Sequence, residues 1–231
     1  MFAKFARLLL GLLLVLGLVA FLDSSYFQLR SVRVTGGDAL LNQQVRALAG
    51  VPSGQNIWRV DPVQVADRVR RDPWVGTARV YRSLPSTLVI QIQPRRAVGM
   101  IWQQGRYFIL SAGGWVLQRS SSLPNALPFL TPAPPATLRV GRQVAAPWRQ
   151  LCAAAADVPS GLAISELHRR SDGTLFAYLL SGVAVRLGQG QVRQKLAELP
   201  PLLAQQARLG QHPVRVDLGD PNRPVVQEGK P

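Results

Sequence analysis

The chain has 231 residues, 47% hydrophobic and only 17% charged, with 27 basic against 12 acidic side chains and a formal net charge of +15. That composition excludes a disordered chain and leaves room for one or two small domains. The basic excess is arginine, because Lys4, Lys195 and Lys230 are the only lysines, and the arginines run from Arg7 to Arg223 without a dense block. A nucleic-acid footprint would cluster, so the charge reads as a solvated surface. Cys152 is the only cysteine, which excludes an intramolecular disulfide and leaves the redox compartment open. Beside Ala153, Ala154, Ala155 and Ala156 it reads as a small buried hydrophobe.

Residues 8–22 form an unbroken apolar run. With Tyr26 and Phe27 at its far end, a membrane helix is expected over 8–26, after a cytoplasmic tail at 1–7. Arg7 would snorkel to the headgroups. Lys4 and Arg7 precede the run and Asp23 follows it, so the positive-inside rule leaves Met1 in the cytoplasm and exports the rest. Leu18, Val19 and Ala20 make a poor cleavage site, which favours a retained anchor over a signal peptide.

Residues 28–35 alternate as a strand and Gly36-Gly37 turns the chain. Leu40, Leu41, Val45 and Leu48 recur at helical spacing up to Gly50. Asp61 is placed to cap a second helix, with Pro62 at its first position and Asp72-Pro73 as its stop. Two more strands follow at 74–82 and 87–93, the latter with Leu88, Ile90 and Ile92 on one face. Residues 27–95 thus spell strand, helix, helix, strand, strand, an α+β layout with two helices on one face of a three-stranded sheet.

Residues 96–231 read as a strand-dominated domain with one or two helices. Short strands are expected at 98–102, 107–110 and 115–117, then a Ser- and Pro-rich loop over 120–135 and a helix over 146–156. Strands follow at 164–168, 175–180 and 183–187, with hairpin turns at Asp172-Gly173 and Ser181-Gly182. Residues 191–209 are helical in pattern, and Pro200-Pro201 should kink or split that helix. The chain closes with a strand through Val214, Val216 and Leu218, a turn at Asp220-Pro221-Asn222, and a last strand over 224–227.

No constellation points to chemistry. The acidic residues are scattered, and Asp61, Asp67 and Asp72 suit caps and solvated faces. His168 and His212 lack metal-ligand spacing to Cys, Asp or Glu. Ser111-Ala112-Gly113-Gly114 is not a nucleophile elbow. Gly188-Gln189-Gly190 lacks the third glycine of a phosphate cradle and reads as a turn into a helix. The five tryptophans are dispersed. No enzyme activity, cofactor, metal, small-molecule substrate or nucleic acid is expected.

The order of elements after one anchor resembles a POTRA domain just outside a membrane. Val32-Arg33-Val34-Thr35-Gly36 is similar to the first strand and turn of the FtsQ/DivIB family of bacterial division proteins. Gly54, Asn56, Ile57 and Val60 resemble that family's inter-helix loop, and Pro73-Trp74-Val75, Ala78, Val80, Arg82, Pro85, Leu88 and Ile90 its next two strands. Val183 to Leu187, the helix with Lys195 and Val216-Asp217-Leu218 resemble the closing elements of its β domain. The sequence departs at Gln93-Pro94-Arg95-Arg96, which lacks the usual acidic residue, and at Ser111-Ala112-Gly113-Gly114, which lacks the usual aspartate.

The resemblance implies a non-enzymatic scaffold that links early and late division proteins at the septum of the inner membrane. It implies recruitment through the POTRA domain, and a β domain that binds partners resembling the coiled-coil proteins FtsB and FtsL. It also implies strand addition at the last strand, which makes Pro224, Val225, Val226 and Gln227 the candidate partner-binding residues. Pro224 offers no N–H and suits an edge. A POTRA-bearing assembly or transport factor is the alternative, although such proteins carry a long barrel for which this sequence offers no segment.

Overall fold

The computed structural model describes residues 2–124, 127–220 and 224–228. It forms two compact units, Met1–Pro94 and Arg95–Pro231.

The first unit opens with helix α1, Phe2–Leu22, which starts well before the apolar run because Arg7 does not interrupt it. Twenty-one residues span about 31 Å at 1.5 Å per residue. It is long and apolar enough to cross a membrane. A single 3-10 turn, Ser25–Phe27, leads into strand β1, Ser31–Thr35, three residues shorter than the alternation suggested. Helices α2, Ala39–Ala49, and α3, Pro62–Val69, follow, then strands β2, Val75–Ser83, and β3, Thr87–Pro94.

The local signals act as their chemistry dictates. The Asp38 carboxylate accepts the Leu41 N–H at 2.8 Å and caps α2, and Gly50 closes it at φ 58°. Asp61 accepts the Val63 and Gln64 N–H groups and caps α3. The sheet order is β1-β3-β2, with β1 parallel and β2 antiparallel to β3. Leu88, Ile90 and Ile92 face Leu41, Val45, Val65 and Val69, all buried. A register shift between Val75 and Thr77 turns Val75 into this core with Ala78, so the simple alternation expected for β2 fails at its first residues.

In the second unit, β4, Ala97–Gln103, β5, Arg106–Ser111, and β6, Val116–Ser120, form a meander. Strand β7, Phe129–Thr131, then crosses the stretch expected to be a loop. Helix α4, Ala146–Ala156, precedes β8, Ile164–Arg169, β9, Leu175–Leu179, and β10, Ala184–Gly188. Helix α5, Val192–Arg208, leads to β11, Pro213–Asp217, and β12, Val225–Glu228. The nine strands order as β12-β11-β10-β9-β8-β7-β4-β5-β6. The turn expected at Asp220-Pro221-Asn222 lies partly outside the described residues.

Two expectations are corrected. Pro200 and Pro201 lie inside α5, which runs through them unsplit, so of the kink or split expected there the split does not occur. Leu196 and Leu199 before them are fully buried, and Leu202 and Leu203 after them pack on the same core, so one apolar stripe holds both halves. Strand β7 sits centrally, parallel to β4 and to β8. Leu130 is 1% exposed, and room for it comes from Gly99 on β4, where a Cβ would stand 2.7 Å from the Leu130 side chain. Gly99→Ala should therefore destabilise this unit by about 1–3 kcal/mol, the usual cost of overpacking. Urea unfolding of the two proteins measures it.

Candidate partner-binding edge

An open sheet has two edges, and here they differ. Along β6, the Val116 N–H donates to Arg142 O and the Gly141 N–H to Val116 O, both at 2.9 Å. Trp115 bridges to Gln143 as well, so the chain itself covers the start of that edge. At the other end β12 terminates the sheet and, among the described residues, pairs with β11 alone.

Register fixes which backbone groups β12 offers. The Leu218 N–H donates to Arg186 O at 2.8 Å, across the parallel pairing of Arg186 with Asp217. Residues 216 and 218 therefore turn their peptide groups toward β10, and residues 215 and 217 turn theirs toward β12. Gln227 and Val225 are their partners, so those two point inward. Val226 lies between them, and its N–H and C=O point out of the sheet. Its side chain stands opposite buried Val216 and is half-buried, whereas Val225 is exposed. Pro224 precedes the strand rather than opening it, which corrects the expected boundary by one residue.

The strands behind this edge are tied together by charge. Arg186 on β10 reaches Asp217 on β11 at 3.0 Å, and Asp217 also accepts the Gly219 N–H at 2.8 Å. Partial burial pushes the Asp217 carboxyl upward, but the Gly219 N–H and the Arg186 guanidinium together hold it below its ordinary value. This contribution to folding is complete above the ordinary carboxylate pKa of about 3.9 and fades as pH falls through the lower folded value.

Lys195 is the feature that the sequence reading passed over as one element of a helix. It is 1% exposed, in α5. Its Nζ donates to Leu187 O at 2.8 Å, Gln189 O at 3.3 Å and Gly219 O at 3.2 Å. An ammonium has three N–H bonds, and all three are used on carbonyls at the exits of β10 and β11. The signal was its spacing: Lys195 stands three residues after Val192 and four before Leu199, on the apolar stripe.

Other candidates resolve as structure. Cys152 is fully buried, and burial pushes its thiol up to about 12, which suits packing rather than attack. Ser111 is buried, and its hydroxyl accepts the Trp115 N–H at 3.2 Å. His168 does have an acidic neighbour: Nδ1 lies 3.6 Å from Glu166 and 2.8 Å from the Thr131 hydroxyl, which also bonds Glu166. Strand alternation puts these residues on one sheet face, two positions apart, which metal-ligand spacing did not anticipate. No group of three or more metal-ligating side chains occurs among the described residues.

Comparison with known proteins identifies two matching families. Residues 27–95 match the POTRA domain of FtsQ type, and residues 100–219 match the C-terminal region of the cell division proteins FtsQ/DivIB. The chain belongs to the FtsQ/DivIB family. Among FtsQ relatives, that of Rhodothermus marinus is 30% identical over 229 residues, covering 91% of this chain and 81% of the relative. That of Bradyrhizobium diazoefficiens is 27% identical over 218 residues, covering 90% of this chain but only 59% of the relative. A solved DivIB extracytoplasmic domain from Geobacillus stearothermophilus covers 49% of this chain and 95% of its own length, at 20% identity and a TM-score of 0.36. Strand β12 lies beyond the residues that the FtsQ/DivIB match covers.

Proposed function

We propose that this member of the FtsQ/DivIB family is a single-pass inner-membrane scaffold of the division septum that does no chemistry of its own. Its N-terminus is cytoplasmic, and both folded units stand outside the membrane. There it holds division proteins resembling FtsB and FtsL, and links early to late components. An extended partner segment adds as a further strand along β12, meeting the outward N–H and C=O of Val226. The observation that carries this reading is the contrast between the two edges: the start of β6 is covered by the chain, whereas β12 terminates the sheet. An unpaired edge is a template for strand addition.

Val226→Pro tests it. Proline removes the outward N–H, and the inward pairing through Val225 and Gln227 stays. Titration of the full chain in nanodiscs with the extracytoplasmic segment of its FtsB-like partner should give affinity about tenfold weaker, the size of one lost hydrogen bond at about 1.4 kcal/mol, with an unchanged thermal midpoint. Unchanged affinity would sink strand addition. A fluorescent protein ahead of Met1 tests the septal role: the chain should form a mid-cell band before constriction, and uniform membrane fluorescence would contradict it.

A further inference from the structure

The junction between α1 and the POTRA unit is built, not slack. The Asn56 side chain donates from Nδ2 to Leu22 O at 2.7 Å. That fills one of the carbonyls a helix leaves open at its C-terminal end. Arg59 Nη2 meets both Asp23 carboxylate oxygens, at 2.9 and 3.0 Å. Phe21, still in the helix, packs edge-on against Phe27 with ring centroids 5.2 Å apart. Phe27 belongs to the domain core and Leu22 packs against that core. Backbone bonds from Leu29 N–H to Gln55 O and from Gly54 N–H to Leu29 O then stitch the exit of the helix to the inter-helix loop. The exposed ion pair adds little alone, but the cap and the aromatic packing tie the end of the helix to the domain.

Beside the exposed Asp23, Ser25 and Gln28, the domain presents large apolar and aromatic side chains at that junction. Tyr26, Trp58 and Leu84 are 55%, 42% and 53% exposed. Leu84 belongs to the β2–β3 turn, whose Ser86 carbonyl accepts the Arg30 N–H, so this turn shares the end of the sheet where the chain arrives from the helix. Arg30 and Arg59 are exposed there too. Tyrosine and tryptophan favour the membrane–water interface, and arginines favour phosphates. A free tether would need none of this.

We infer that this end of the POTRA unit rests in the phospholipid headgroup layer, with Tyr26, Trp58 and Leu84 dipping among the headgroups and Arg30 on their phosphates. The membrane helix then works as a rigid stem that fixes the domain's tilt. The inference rests on the membrane anchor proposed above and adds a second contact to it.

Spin labels on the full chain test both separately. In a Cys152→Ala background, single cysteines replace Leu84, Ser25, Gln93 and Leu14, in nanodiscs of mixed phosphatidylcholine and phosphatidylglycerol. Gln93 is exposed and lies at the opposite end of the sheet. The ratio of oxygen to nickel-chelate accessibility should be several-fold higher at 84 and 25 than at 93, and highest at 14. Asn56→Ala with Arg59→Ala should bring the ratio at 84 down to that at 93. Equal ratios at 84 and 93 with a high ratio at 14 would overturn the docking and leave the anchor. A water-like ratio at 14 would overturn the anchor and the docking with it. Protection of 84 from both relaxants would mean burial against protein, and would overturn the lipid assignment.

Discussion

Lys195→Met should lower the stability of the β unit by about 2–4 kcal/mol and its thermal midpoint by roughly 10 °C. The substitution keeps the length of the apolar stem, so packing against Leu196 and Leu199 changes little. It deletes three donors and leaves the carbonyls of Leu187, Gln189 and Gly219 without them. A buried acceptor that loses its donor forfeits its full desolvation cost, and removal of the buried charge offsets only part of that. The consequence reaches the candidate edge. Gln189 follows β10 directly, and Gly219 stands two residues past the end of β11, so Lys195 ties together the exits of the two strands on which β12 depends. Hydrogen exchange at β11 and β12 should therefore rise more than at β4 and β5, and partner affinity should fall with it. An unchanged midpoint and uniform exchange would show that the three bonds carry no net weight.

Much of this was legible in the residues. The first unit announces itself through Asp61-Pro62, Gly50 and the alternation of Leu88, Ile90 and Ile92, because each signal is local and nothing distant overrides it. The missing strand β7 is the opposite case. Phe129–Thr131 is three residues long and lies between Pro128 and Pro132 in a Ser- and Pro-rich stretch. What makes it a strand is distant, namely the Met100 N–H donating to Pro128 O, the pairing with β8, and the gap left by Gly99. That α5 is not split at Pro200-Pro201 has the same cause: the propensity is local, and the burial that outweighs it is not.

At the candidate edge, a final strand over 224–227 could be singled out by its own chemistry, displaced by one residue from the observed Val225–Glu228. Which of its residues faces outward could not be, because it depends on a register relayed from Arg186 through Asp217 to Val225. Lys195 was visible only as a lysine out of place on an apolar stripe. Its acceptors are 6, 8 and 24 residues away, and the longest of these separations closes only when the sheet forms.

Gly36→Ala should unfold or nearly unfold the POTRA unit while the β unit keeps its structure. Gly36 has φ 104°, and a Cβ there would stand 1.9 Å from Ile92 O, a main-chain atom of the central strand. No rotamer change can relieve a clash between backbone and Cβ. The positive φ costs about 1–3 kcal/mol for a residue with a side chain, and forced displacement of a packed strand costs about 1–3 kcal/mol more. A unit of this size commands only about 0.05–0.15 kcal/mol per residue in total. Gly54→Ala is the control, since φ is 83° there but no atom lies within 4 Å of the added Cβ. It should cost only the conformational part. If Gly36→Ala destabilises no more than Gly54→Ala in the same urea titration, the close approach to Ile92 is not a constraint on the fold. If it does unfold the unit, Asn56 and Arg59 lose their fixed positions against Leu22 and Asp23, and the stem becomes a tether. Septal localisation of the fluorescent full chain would then report what the POTRA unit contributes, with the edge at Val226 still intact.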